Sequence, residues 1–204
     1  CAKRTLMLTR RWTTWVIAAL LCAATLFAQE SRNEASKNPY DLPDALMPLW
    51  DSLSIKQKAA QLIMVYMSPA EFLVKNEFGG VLVMKSHLNK KDNFIHNLTQ
   101  ANAELRIPLL VASDQEGGRV NRIGGISEKW KHAPSAYEMR DMEPDSVRAI
   151  ANSIGSELKA LGINLNLAPV LDPALDHRNK KSFMEESHRS WDKDSSSGEK
   201  VAAF

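Results

Sequence analysis

The chain has 204 residues, fewer than the roughly 250 that a complete large barrel typically uses, so it fits one small domain or a piece of a larger one. Its 26 Lys and Arg against 24 Asp and Glu give a net charge of +2, but Lys3, Arg4, Arg10 and Arg11 lie in an acid-free leader, and the remainder carries 22 against 24. That near-balance gives no basis for nucleic-acid binding. Both cysteines, Cys1 and Cys22, also fall in the leader, which excludes a disulfide scaffold.

The leader pairs those four basic residues with an uncharged run from Trp12 to Ala28, closed by Leu26-Phe27-Ala28. It reads as a signal peptide over residues 1–28, so the protein is expected to be exported, periplasmic or secreted. An uncleaved membrane anchor is the alternative, although the run falls short of the ~20 apolar residues of a span. Residues 29–52 are a linker and lead-in, polar up to residue 43 and interrupted by Pro39 and Pro43.

From residue 53 the pattern is that of a folded domain. Ser54 and Gln57 form a capping box, and Ile55, Ala59, Leu62 and Ile63 recur at helical spacing, predicting a helix from Ser54 to Tyr66. Ser68-Pro69-Ala-Glu71 opens a second short helix that ends near Gly79. Gly80 to Met84 is a wholly apolar strand of the kind covered on both faces. Asn93 to Arg106 is helical, with Phe94, Leu98, Ala101 and Leu105 on one face. Leu109 to Ser113 is the next strand, completing a βαβ unit with parallel strands. Pro144 opens a helix buried through Val147, Ile150, Ile154, Leu158 and Leu161 and stopped by Gly162. Ile163 to Ala168 is a third strand, His177 to Ser197 reads as a long loop, and Gly198 to Phe204 as the opening of a further helix. Three apolar strands with helices between them point to the first part of a larger parallel structure.

The stretch Ile107 to Arg122 is the one most loaded with chemistry. A buried strand delivers Asp114, Glu116, Arg119 and Arg122 into a loop eased by Gly117 and Gly118. Asp172 lies past the next strand. Both acids therefore sit where parallel α/β enzymes place their sites. Two such carboxylates suggest the acid and nucleophile of glycoside hydrolysis. The plainer alternative for Asp172 is a helix cap or turn. Arg122 and Arg189 are planar forks suited to hydroxyl or carboxylate groups. Read alone, Arg189 and His188 are solvated surface residues, and Trp130 and Trp191 either pack in the core or stack on a sugar ring. His87, His96, His132, His177 and His188 are scattered, with no metal-ligand spacing.

Asp114-Gln-Glu-Gly-Gly-Arg-Val-Asn-Arg122 resembles the D-Q-E-G-G-R-V-x-R signature of glycoside hydrolase family 3, particularly the branch of bacterial β-N-acetylglucosaminidases. Gly79-Gly-Val-Leu-Val-Met84 looks like that family's first barrel strand. The segment from Gly162 to Asp172 is similar to its G-I-N-x-N-x-A-P-V-x-D, and Arg189-Ser190-Trp191 stands where the family has R-S-F-G. The resemblance implies an α/β fold, a (β/α)8 TIM-type barrel, with about the first three βα units present over residues 53–204. It implies hydrolysis of terminal β-linked sugars with retention through a covalent glycosyl-enzyme, with no cofactor or metal.

Carried over position by position, Asp114, Arg122 and Arg189 become substrate-binding residues, so the resemblance moves Asp114 from nucleophile to sugar contact. Trp191-Asp192 departs from the family's Phe-Gly, and the loop before Arg189 is longer. The K-H-F-P-G-H-G segment and the aspartate nucleophile have no counterpart in these residues and are expected after residue 204, so the polypeptide as given is expected to be inactive. A β-glucosidase of the same family and a non-catalytic, truncated or degenerate sugar-binding fragment are the alternatives. The partner is a carbohydrate, with membrane contact only through the leader or an anchor. Oligomeric state is not legible.

Overall fold

The computed structural model describes residues 42–172, 176–177, 180–191 and 196–204. The signal peptide and most of the linker lie outside the described residues. The chain divides into two units, Cys1–Ser52 and Leu53–Phe204. In the first, the described part is a 3-10 turn, Asp44–Leu46, running into helix α1, Met47–Ser52.

The second unit is built on a parallel sheet of β1 (Met64–Tyr66), β2 (Gly80–Leu82), β3 (Leu110–Ser113) and β4 (Leu165–Asn166), in that spatial order. Helix α2, Ile55–Ala60, precedes β1, and α3, Ala70–Asn76, follows it. Helices α4, Lys85–Leu88, and α5, Lys91–Glu104, link β2 to β3. Helices α6, Ala136–Met139, and α7, Pro144–Ala160, link β3 to β4. Beyond β4 come a two-residue antiparallel pair, β5 (Asp176–His177) with β6 (Lys180–Lys181), then α8, Phe183–Glu186, and α9, Ser196–Ala203.

The predicted strands at 80–84, 109–113 and 163–168 are all present in shortened form, preceded by one that the helical reading of 54–66 concealed. The capping box forms as expected: the Gln57 N–H donates to Ser54 Oγ at 3.2 Å and the Ser54 N–H to Gln57 Oε1 at 2.8 Å. The helix closes when the Leu62 and Ile63 N–H groups donate to the carbonyls of Ala59 and Ala60. The chain then runs into register with β2, Met64 beside Gly80 and Tyr66 beside Leu82. The competing physics is sheet pairing, because the edge of β2 offers backbone partners that three more helical residues would leave unused. The expected helical stripe is accordingly not buried: Ile55 is 86% exposed and Leu62 89%. The segment resembling a first barrel strand is the second strand here. The predicted loop after His177 contains β6 and α8.

The sheet has a covered and an open face. Val65, Val81 and Val111 form one row across β1, β2 and β3. Val81 and Val111, with Val83, pack among Leu73 of α3, Phe94 and Leu98 of α5 and Ile154 and Leu158 of α7. Each such side chain contributes about 1.5–3 kcal/mol by leaving water. The alternate row has Tyr66, Leu82, Ala112 and Leu165. On that face Tyr66 and Leu110 stay 62% and 53% exposed, so among the described residues helices cover only one side. A second, smaller cluster holds Ala136, Met139, Val147, Trp191 and Ala203.

Candidate functional site

The site is assembled on the loop that leaves the C-terminal end of β3. Ser113 Oγ donates to the Val83 carbonyl at 3.0 Å, and the Leu167 N–H donates to the Ser113 carbonyl at 2.8 Å, which fixes where the loop starts. Asn166 on β4 then holds the backbone of Gln115 at both ends: the Gln115 N–H donates to Asn166 Oδ1 at 2.9 Å and Asn166 Nδ2 donates to the Gln115 carbonyl at 3.1 Å. Asn164, two residues earlier, bridges β3 differently, accepting from the Val111 N–H and donating to the Leu109 carbonyl.

Gln115 is wholly buried and works as an internal clamp. Its Oε1 accepts from the Arg122 N–H at 2.7 Å and the Ile123 N–H at 3.0 Å, while its Nε2 donates to Asn121 Oδ1 at 3.2 Å. Asn121 passes the restraint to the Trp130 carbonyl at 2.7 Å. Gly117 turns the chain at φ +89°, and a Cβ there would lie 1.9 Å from the Pro134 carbonyl oxygen, so only glycine fits both the torsion and the space.

Inside this frame stand two bidentate ion pairs. Arg122 Nε donates to Asp114 Oδ1 at 2.6 Å, and its Nη2 donates to Oδ2 of the same carboxylate. Arg189 Nε donates to Glu116 Oε2 at 2.8 Å and its Nη2 to Oε1 at 2.6 Å. The pairs form one electrostatic unit. The hydrogen bond to Asp114 raises the pKa of Arg122, with Glu116 adding to the effect and Arg189 opposing it. The bond to Glu116 raises that of Arg189, with Asp114 and Asp172 contributing. Asp114, Arg122 and Arg189 keep 26%, 20% and 22% of their side chains exposed, against 9% for Glu116. Asp114 and both guanidinium groups are therefore reachable, and Glu116 is the buried acid that holds Arg189 in place. Each guanidinium retains unused N–H donors and each Asp114 oxygen a second lone pair, a set that complements a ligand rich in hydroxyl groups.

Arg189 is brought 73 positions along the chain to Glu116 by its own anchoring. Its N–H donates to the Met184 carbonyl at 2.8 Å. His188 takes φ +58° and stacks on Tyr137 at 4.6 Å, while the Arg140 guanidinium lies 3.6 Å from the Tyr137 ring centre. Trp191, 2% exposed, locks the far side of the loop into the smaller core, edge-on to Phe204 at 6.3 Å.

The three residues singled out from sequence thus lie around one cluster, and Arg189 is an ion-paired residue of it rather than a free surface charge. Glu116 joins them, a role its acid–amide–acid setting hinted at without naming its partner. Arg119 points to solvent, and Asp172 is exposed. Trp130 and Trp191 are core residues at 8% and 2% exposure, which removes the sugar-stacking alternative.

Residues 54–202 match the model of the glycosyl hydrolase family 3 N-terminal domain. The chain belongs to glycosyl hydrolase family 3. Among similar curated proteins, a β-hexosaminidase from Alkalilimnicola ehrlichii is 36% identical over 99 residues, covering 46% of this chain and 28% of that protein. The β-hexosaminidase LpqI of Mycobacterium tuberculosis is 34% identical over 130 residues, covering 59% and 31%. The crystal structure of a β-N-acetylhexosaminidase from Beutenbergia cavernae matches with a TM-score of 0.58 at 28% identity, covering 75% of this chain and 49% of that one. This family 3 chain is thus a partial TIM-type barrel, and it spans about a third or less of the curated relatives it matches.

Proposed function

We propose that the protein carrying this chain hydrolyses terminal β-linked N-acetylglucosaminides of cell-wall or related glycans, with retention through a covalent glycosyl-enzyme. The observation that carries the reading is the partly exposed set of Asp114, Arg122 and Arg189, the last held by the buried Glu116, at the C-terminal edge of the parallel sheet, in a chain of this family. In this reading Asp114 accepts hydrogen bonds from sugar hydroxyls, and Arg122 and Arg189 donate to the same sugar. A charged acceptor held in place discriminates against ligands that lack the matching hydroxyl. The nucleophile and the acid/base are assigned to none of residues 1–204, so this polypeptide alone turns nothing over. The leader pattern supports export.

The test compares nitrophenyl β-N-acetylglucosaminide and β-glucoside on the intact protein and on its Asp114→Asn and Arg122→Met variants. Preference for the N-acetyl substrate is expected, with kcat/KM lowered about 10- to 100-fold in each variant, the equivalent of one charge-assisted hydrogen bond. Equal turnover of both substrates would overturn the specificity, and unchanged kcat/KM in the variants would overturn the assignment of the binding residues.

A further inference from the structure

A second concave site lies among the loops that follow β1 and β2, on the same edge of the sheet but apart from the residues described above. It is a cavity of about 470 Å³, within the range of small-molecule sites. Phe94, Met67 and Pro69 form its apolar lining, and the other lining residues are polar. The charge of that lining is one-sided.

The lining amides and imidazole each already accept one hydrogen bond from the protein. Asn97 Oδ1 accepts from the Ala70 N–H at 2.9 Å, and Asn93 Oδ1 accepts from Asn97 Nδ2 at 3.2 Å. His87 Nδ1 accepts from the Met84 N–H at 2.9 Å, which places the proton of the neutral ring on Nε2. Burial lowers the pKa of His87 and so favours that neutral, donating form. What remains on offer is the Lys90 ammonium, the Asn93 amide N–H2, the His87 Nε2–H and the Ser86 hydroxyl. Among side chains, the acceptors left over are the Ser68 and Ser86 hydroxyl oxygens, the former giving its own proton to the Tyr66 carbonyl at 2.8 Å, and the second lone pair of each amide oxygen. No Asp or Glu lines the cavity. Lys90 has no counter-charge among the lining residues, and an oxoanion supplies one while accepting from the neighbouring N–H donors, which a neutral sugar does not.

We propose that this cavity binds the oxoanion end of a small organic molecule, a carboxylate or a phosphate ester, between Lys90, His87 and Asn93, with the apolar part of the ligand against Phe94 and Met67. The site is separate from the sugar-binding cluster and does not depend on that assignment.

The experiment is calorimetric titration of the intact protein, at fixed ionic strength, with glucose 6-phosphate, glucuronate and glucose, following the His87 ring resonance by NMR. Two variants preserve the fold. Lys90→Met alters an exposed side chain. Asn93→Asp keeps the acceptor for Asn97 and puts an acid in the first turn of α5, where the helix dipole favours it. Saturable binding of either anion with a shift of the His87 resonance is expected, with no heat from glucose. Each variant is expected to weaken binding at least about tenfold, the loss of one charge-assisted contact. Which anion saturates identifies the ligand class. Anion binding unchanged in both variants, glucose binding as well as glucuronate, or no saturation by either anion would overturn the proposal.

Discussion

Replacing Glu116 by Gln isolates the contribution of the inner ion pair without changing volume. Two charge-assisted bonds join Glu116 to Arg189, with 9% and 22% of the respective side chains exposed. The amide keeps one acceptor but sets an N–H2 group against a guanidinium, which has no acceptor to offer. Breaking a fully buried pair costs about 3–5 kcal/mol. The exposed fifth of Arg189 allows partial rehydration, so about 2–3 kcal/mol is expected here. Removing the second charge as well, in Glu116→Gln with Arg189→Met, leaves nothing uncompensated. The double variant should therefore be less destabilised than the sum of the singles by about 2 kcal/mol. Equilibrium urea unfolding at neutral pH, read by the fluorescence of the buried Trp130 and Trp191, measures all four corners of this cycle. A single-variant loss below about 0.5 kcal/mol, or an additive cycle, would refute the view that the pair organises the loop.

Gly117→Ala is expected to destabilise by more than about 3 kcal/mol, combining strain at φ +89° with displacement of the Pro134 carbonyl. Gly155→Ala, in mid-α7 with nothing within 4 Å, is expected to stabilise by about 0.5–1 kcal/mol, and thermal melts of the two should move in opposite directions. Asn166→Leu strips both partners from the Gln115 backbone, and a loss of about 2–3 kcal/mol with faster hydrogen exchange at the Gln115 amide is expected. The pKa of His87 is held below its ordinary 6.5 by burial, so the unfolded chain binds that proton more readily. The stability this gives is fully present above 6.5 and is lost as pH falls through the depressed folded value; His87→Gln should flatten that part of a stability–pH curve. Ser135 donates its N–H and its hydroxyl to Glu138, holding that carboxyl below its ordinary 4.5. Its contribution is present above 4.5 and lost on further acidification, a loss that Glu138→Gln should remove.

The legible part of the site was its address. Asp114 follows an apolar β-branched run and precedes two glycines, and that local pattern suffices to put charges at a strand end. Glu116 shows the limit: its partner is 73 residues away, and no periodicity encodes a distance of that kind. His188 illustrates the same limit, because its left-handed backbone and its stacking on Tyr137 arise from the packing of two elements, not from its neighbours in sequence.

The sequence by itself determined the alternation of helices and parallel strands, the core stripes of α5 and α7, and the loop that carries Asp114 and Arg122, since each depends on spacing within a few turns of chain. Tertiary structure alone decided that Met64–Tyr66 is a strand, because an apolar run without Gly or Pro suits helix or strand until β2 supplies its backbone partners. It also decided that Trp191 belongs to the core and that Arg189 stands with Glu116. Burial and ion pairing are properties of surfaces brought together, and a long, always-charged side chain reads the same in sequence whether it faces water or another residue's carboxylate.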